Sequence, residues 1–115
     1  MEQINRIELR GNIGSVRVQS YRGQRVAKIT VATNYVYKGT GGEPVIETTW
    51  HNVSAWEGKG MPPFDQLEKG SRIQVSGRLR SQRYTDAEGI ERTAYEVLAK
   101  RMQLLEDVEP FAYEM

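Results

Sequence analysis

From Ser71 to Tyr84 the chain alternates between two kinds of position. One parity reads Ile73, Val75, Gly77, Leu79; the other reads Arg72, Gln74, Ser76, Arg78, Arg80, Gln82, Tyr84. Successive side chains of a strand point to opposite faces, so this predicts an interior row ending at Leu79 and a solvent face with three arginines and a tyrosine. The same pattern recurs between turn signals. A first strand is expected through Arg6–Val18, with a bulge or bend at Gly11 and Gly14. Ser20–Gln24, containing Gly23, is a turn, and the β-branched and aromatic run Val26–Tyr37 is a second strand. Lys38–Pro44, with three glycines and a proline, is a loop, and Val45–Trp56 is a third strand. Glycines and prolines break Glu57–Pro63; Phe64–Lys69 forms a short helical turn capped by Gly70. Thr85–Gly89 is a hairpin turn, and Arg92–Leu104 is the fifth strand.

Five strands with one short helical turn between the third and fourth is the layout of an all-β, five-stranded OB-fold barrel, here with protruding β-hairpins. Residues 1–105 make the single domain. Residues 106–115 read as a short, acidic, flexible C-terminal tail.

In the third strand Trp50, Asn52, Ser54 and Trp56 share one parity, and His51, Val53 and Ala55 the other. Large aromatics on a polar face need a cover. Unpaired nucleic-acid bases supply one, each stacking for about 1–3 kcal/mol, while nearby Lys and Arg neutralise phosphates. Tyr35 and Tyr37 extend the aromatic series toward the glycine-rich loop. Core or interface packing accounts for a strand tryptophan equally well, and exposed arginines are commonly just solvated. The pattern alone therefore leaves nucleic-acid binding and a protein-interaction role open.

Composition narrows the chemistry. The 115 residues suit one domain, and charged residues at 27% fit an ordinary globular chain. No apolar run approaches a membrane span, and Met1–Arg6 lacks the start of a signal peptide, so a cytoplasmic, nucleoid-associated protein without membrane partners is expected. The absence of cysteine removes thiolate nucleophiles and Cys-based zinc sites; a lone histidine, His51, removes a multi-histidine metal site. No catalytic residues, metal or cofactor are expected. Net charge is +1, but the last ten residues hold four acids and no base; without them sixteen basic residues face eleven acidic ones, about +5. A basic body is compatible with a polyanionic partner. Gly11-Asn12-Ile13-Gly14 lacks the Gly-Lys-Ser/Thr ending of a phosphate loop and reads as structural.

From Asn5 to Leu105 the chain resembles the bacterial single-stranded-DNA-binding proteins. The resemblance rests on Thr49-Trp50-His51-Asn52-Val53, on Leu67-Glu68-Lys69-Gly70-Ser71 running on to Leu79-Arg80, on Tyr84-Thr85-Asp86 through Gly89, and on Tyr95-Glu96-Val97, Gly11–Gly14 and Ala32-Thr33, all in order. It implies sequence-independent binding and protection of single-stranded DNA in replication, recombination and repair. The family's base-stacking aromatics fall on Tyr37, Trp50, Trp56 and Tyr84; its basic contacts fall near Lys59, Lys69, Arg80 and Arg83, to which the exposed face of the fourth strand adds Arg72 and Arg78. His51 matches a histidine at a subunit interface, in a homo-oligomer implied to be a tetramer. The connection between the first two strands lacks the family's Asp-Pro-Glu, and Gly58–Gln66 implies a stunted helix. The long linker with a terminal acidic Pro-Phe tip is replaced by Asp107–Phe111 directly after the barrel, so tail-mediated recruitment of repair enzymes is not expected. Two other readings remain: an OB-fold replication-restart or RNA-binding module, and an adaptor whose Trp50 and Trp56 form a protein interface.

Overall fold

The β-branched runs form five strands: β1 (Ile7–Tyr21), β2 (Gln24–Lys38), β3 (Pro44–Trp56), β4 (Arg72–Thr85) and β5 (Glu91–Leu105). The structure, a computed structural model, describes residues 2–106; the acidic tail expected over 106–115 therefore lies outside the described residues except for Glu106. The strands close a barrel in the order β1-β2-β3-β5-β4. All neighbours are antiparallel except β3 and β5, which meet in parallel at only two registered pairs, Val53 with Val97 and Ser54 with Leu98.

β1 serves two neighbours by bending. Residues Ile7–Asn12 pair with β4 and Asn12–Tyr21 with β2, and the register skips a residue between Ile13 and Ser15. The expected bulge is therefore at Gly14. Gly11 has another reason to be glycine: it stays in register with Ile73, and a Cβ there would lie 2.0 Å from the Ala32 carbonyl oxygen. The β1–β2 connection is a two-residue turn in which Arg22 (φ 52°) and Gly23 (φ 81°) are both left-handed, the hand that suits the twist of the flanking strands.

The core is the odd-numbered face of β2 and β3 (Ala27, Ile29, Val31, Val53, Ala55) closed by Ile13, Ile73, Val75, Val97, Ala99 and Met102. Phe64 and Leu67 join it from the segment between β3 and β4. The helical turn there is a 3-10 turn of three residues, Phe64–Gln66, ending at Leu67 in extended conformation. Gly70 does not cap it, contrary to expectation. Its φ of 93° instead completes a separate turn closed by Ser71 N–H donating to the Glu68 carbonyl.

Leu79 corrects the strand-face reading. It was expected in the barrel interior and is 41% exposed. The β4–β5 register shifts where Ser76 opposes Arg101 and Gly77 opposes Ala99, with Lys100 the extra residue on β5. Alternation along β4 survives, but Leu79 stands at the rim: its partner Val97 is the last core residue of β5 on this side, and beyond that pair the β4–β5 ribbon leaves the barrel. The β2–β3 ribbon also projects, through Lys38 and Pro44.

Candidate nucleic-acid interface

On the outer face of β1–β2–β3 the cross-strand pairs are Ser15 with Thr30, Arg17 with Lys28 and Gln19 with Val26 on one side, and Thr30 with Asn52, Lys28 with Ser54, Val26 with Trp56 and Ala32 with Trp50 on the other. Directly paired residues share a face, so the two tryptophans stand on one surface, separated by a polar strip. Trp50 is 60% exposed and Trp56 39%.

Each ring has a seat. A Cβ on Gly14 would lie 2.3 Å from Cζ3 of Trp50 and 2.9 Å from Oγ1 of Thr30, so the bulge glycine leaves the space the indole occupies. Ser15 and Thr30 hydroxyls bond each other at 2.9 Å beside it. At the other end, Tyr21 meets Trp56 edge-on, centroids 6.3 Å apart, and Arg22 lies over the Tyr21 ring at 5.5 Å.

The β4–β5 ribbon forms the opposing wall. Gln82, Ala94, Tyr95 and Glu96 face Ser15, Arg17, Lys28, Thr30, Asn52 and Ser54 across an open groove. The groove continues past Arg80 and Lys28 to Tyr21 and Trp56. At its centre Glu96 takes a charge-assisted hydrogen bond from Arg80, Nε to Oε1 at 2.8 Å, and Nη2 lies 2.6 Å from the same oxygen in an ion pair. The Ser54 hydroxyl donates to its other oxygen at 2.8 Å, and Lys28 Nζ, 3.7 Å from that oxygen, donates to Ser54 Oγ at 2.8 Å. Ser54 is buried although it belongs to the outer face, because this cluster covers it. Burial pushes the Glu96 pKa up, but the Ser54 and Arg80 hydrogen bonds and the charges of Lys28 and Arg80 outweigh it and hold the carboxyl below its ordinary value.

Aromatic rings spaced along a groove that also carries Arg17, Lys28 and Arg80 are what a flexible polyanion with flat bases can occupy. The family model for the single-strand binding protein family matches residues 4–105. The chain belongs to the single-strand binding protein family. It is 36% identical over 108 residues to single-stranded DNA-binding protein 1 of Xylella fastidiosa, covering 91% of this chain and 79% of that protein. To the single-stranded DNA-binding protein of Neisseria meningitidis serogroup A it is 32% identical over 104 residues, covering 89% of this chain but only 60% of that protein's length. In fold it is similar to the Plasmodium falciparum SSB in complex with ssDNA, with a TM-score of 0.79 at 21% identity, covering 92% of this chain and 98% of the other. A Thermus aquaticus single-stranded DNA binding protein gives 0.71 at 21% identity, covering 90% and 51%. These likenesses bear out the OB-fold reading.

Within this family member, the residues singled out from the sequence separate into groups. Trp56 and Arg80 line the groove, and Trp50 stands beside its Ser15–Thr30 end, its ring against Gly14. Tyr84 shares the parity of Arg80 and Gln82 toward the end of the ribbon. Arg78 is exposed nearer the barrel on the same parity. Arg83 is on the other parity and is ion-paired with Glu91. Tyr37 lies on the opposite face of the β2–β3 ribbon from Trp50, because the register from Val26 to Lys38 runs unbroken; it stacks on Tyr35, centroids 6.2 Å apart. Lys69 and Arg72 line a separate hollow with Gly70, Ser71 and Leu104 at the start of β4. Lys59 is exposed in the loop after β3. His51 is half-buried on the core-side face, its Nε2 2.8 Å from the Thr33 hydroxyl.

The sequence reading missed Arg17, Tyr21, Lys28 and Glu96. Tyr21 fell outside because β1 was ended at Val18; the basic and aromatic residues of the first turn were the available signal. Glu96 lies within the Tyr95-Glu96-Val97 motif, but alternation cannot show that Lys28, Ser54 and Arg80 converge on it from three other strands. Among the described residues no group of His, Cys, Asp or Glu could hold a metal ion, and no helix is long and apolar enough to cross a membrane.

Proposed function

We propose that the protein binds and protects single-stranded DNA without sequence preference, in replication, recombination and repair, and without catalysis. The observation that carries this reading is the pair Trp50 and Trp56, exposed on one outer face at the two ends of a groove lined by Arg17, Lys28 and Arg80. Stacking needs only the π-face common to all bases, and phosphate contacts carry no sequence information, so recognition is indifferent to sequence. The family and the named relatives support it.

One OB fold spans only about 4–16 nucleotides. A homo-oligomer, a tetramer in this proposal, lengthens the site and adds avidity, with His51 near a subunit interface. The protein acts in the cytoplasm, associated with the nucleoid. In this reading Tyr37, Tyr84, Lys59, Lys69, Arg72, Arg78 and Arg83 extend the DNA path beyond the groove.

Tryptophan fluorescence during titration with oligo(dT), at several salt concentrations, tests it. Deep quenching that saturates at a fixed nucleotide ratio is expected, and Trp50→Ala should cost about 1–3 kcal/mol of binding while the fold and oligomer persist. No quenching even at low salt, with Trp50→Ala breaking the oligomer, would instead make the tryptophans a protein interface.

A further inference from the structure

Glu96 is an acid in the middle of a surface proposed to hold a polyanion. Arg17, Lys28 and Arg80 line the same groove, and Glu96 engages two of the three. Its side chain is 13% exposed, whereas Lys28 and Arg80 remain 38% and 30% exposed. The carboxylate thus sits beneath its cations, and their outer sides face the groove.

We propose that Glu96 is a built-in counter-charge that limits how tightly the groove grips a phosphate backbone. This rests on the single-stranded-DNA reading. The cluster Lys28–Glu96–Arg80 carries one net positive charge rather than two. A phosphate arriving there must share Arg80 and Lys28 with Glu96 or draw them off it. Since the carboxylate already neutralises one cation, fewer counterions gather over the cluster and fewer leave when DNA binds. The groove therefore holds DNA less tightly, and with weaker salt dependence, than its basic residues alone would dictate. Among the described residues Arg17 has no such acid: it opposes Lys28 across β1–β2, and its charge is not offset there.

A purely structural role is the competing account, because the cluster crosses the β3–β5 junction where the strands share only two registered pairs. Glu96→Gln separates the two. The amide oxygen still accepts from Arg80, and the amide NH2 in place of Oε2 can donate to the Ser54 hydroxyl, so the shape is kept and the charge removed. Wild type and variant are first compared by urea denaturation, then titrated with oligo(dT) by tryptophan fluorescence between about 50 and 200 mM salt. The variant should bind several-fold more tightly at the lowest salt. One added phosphate contact steepens the log–log slope by about 0.7, so its advantage should shrink about 2.6-fold over a fourfold rise in salt. Equal or weaker binding by a folded Glu96→Gln, or an unchanged slope, overturns the proposal.

A second pair of variants keeps the test decisive if Glu96→Gln fails to fold. Arg17→Ala should weaken binding more than Lys28→Ala, because Glu96 already offsets Lys28. A Lys28→Ala loss equal to or larger than that of Arg17→Ala contradicts the counter-charge. Wild-type protein that does not bind oligo(dT) at any salt removes the proposed function and this inference together; wild-type binding with the wrong variant ranking removes only the inference.

Discussion

Ile29 and Val31 occupy the same face of β2 as Tyr35 and Tyr37, in one unbroken register with β3. The first two are at most 2% exposed, whereas the tyrosines are 66% and 43% exposed. β4 repeats the contrast: Ile73 and Val75 are fully buried, and Leu79, on the same parity, is 41% exposed. The alternation is the same in the barrel half and in the projecting half of each strand. What differs is the layer underneath. In the barrel, the opposite wall and Phe64 supply it; in the ribbons none of the described residues does, and apolar and aromatic side chains remain on the surface. The barrel half holds the structure together, and the outer half offers surface.

The largest expected effect of breaking this division is in two glycines of the β4–β5 ribbon. A Cβ on Gly77, at the barrel end, would lie 2.2 Å from the Leu98 carbonyl oxygen. Gly77→Ala should therefore destabilise by about 3 kcal/mol or more, the upper end of overpacking, since backbone must move. Gly89, at the tip, has open space around it and only its φ of 80° to satisfy. Gly89→Ala should cost about 1 kcal/mol. Urea denaturation of both variants checks the ranking, and equal costs would mean that the ribbon and barrel unfold under the same constraints.

Next comes the shared face of β2. Ile29→Ala should lose about 2–5 kcal/mol of stability, whereas Tyr37→Ala should stay within about 0.5 kcal/mol, as an exposed substitution away from the core. A reversed order in the same denaturation series would place a packed layer under the β2–β3 ribbon.

Acid should separate two carboxylates. Glu96 is held below its ordinary pKa despite the opposing effect of burial, chiefly by Ser54 and Arg80; Asp86, at the β4–β5 turn, is lowered by the Arg92 hydrogen bond and by the Ile90 and Glu88 backbone. A lowered folded-state pKa contributes stability that is present above the unfolded value, 4.5 for Glu and 3.8 for Asp, and is lost as pH falls through the folded value. Stability measured from pH 6 downward should drop through this window. The drop should flatten more in Glu96→Gln than in Asp86→Asn, because Asp86 lies in solvent-screened surroundings. Equal flattening would make the two sites energetically alike.

The smallest effect is at Arg22, whose φ of 52° asparagine, with its short polar side chain, tolerates better. Arg22→Asn should raise stability by up to about 1 kcal/mol, less whatever its contact over the Tyr21 ring contributes. Thermal unfolding reads this directly.

The strands, their faces and the outward tryptophans were legible because alternation is a local signal with period two: Trp50 and Trp56 beside Asn52 and Ser54 predicted their own exposure. The bulge at Gly14 was legible for the same reason, since glycine inside a β-branched run marks a break in the ladder. Leu79 and Gly70 were misread because burial and capping depend on what lies across from a residue. Parity says which way a side chain points, but not whether anything is there.

By itself, then, the sequence determined the succession of five strands, the two faces of β3 and β4, and the tryptophans on the outer face, all properties of neighbours along the chain. Only the tertiary structure decided where each strand leaves the barrel, that Gly14 makes room for Trp50, and that Lys28, Ser54 and Arg80 meet at Glu96. Those contacts join residues far apart in the chain, 16 positions for Arg80–Glu96, 42 for Ser54–Glu96 and more for Lys28–Glu96. Barrel closure brings such residues together, and closure is a property of all five strands at once, which no window of sequence contains.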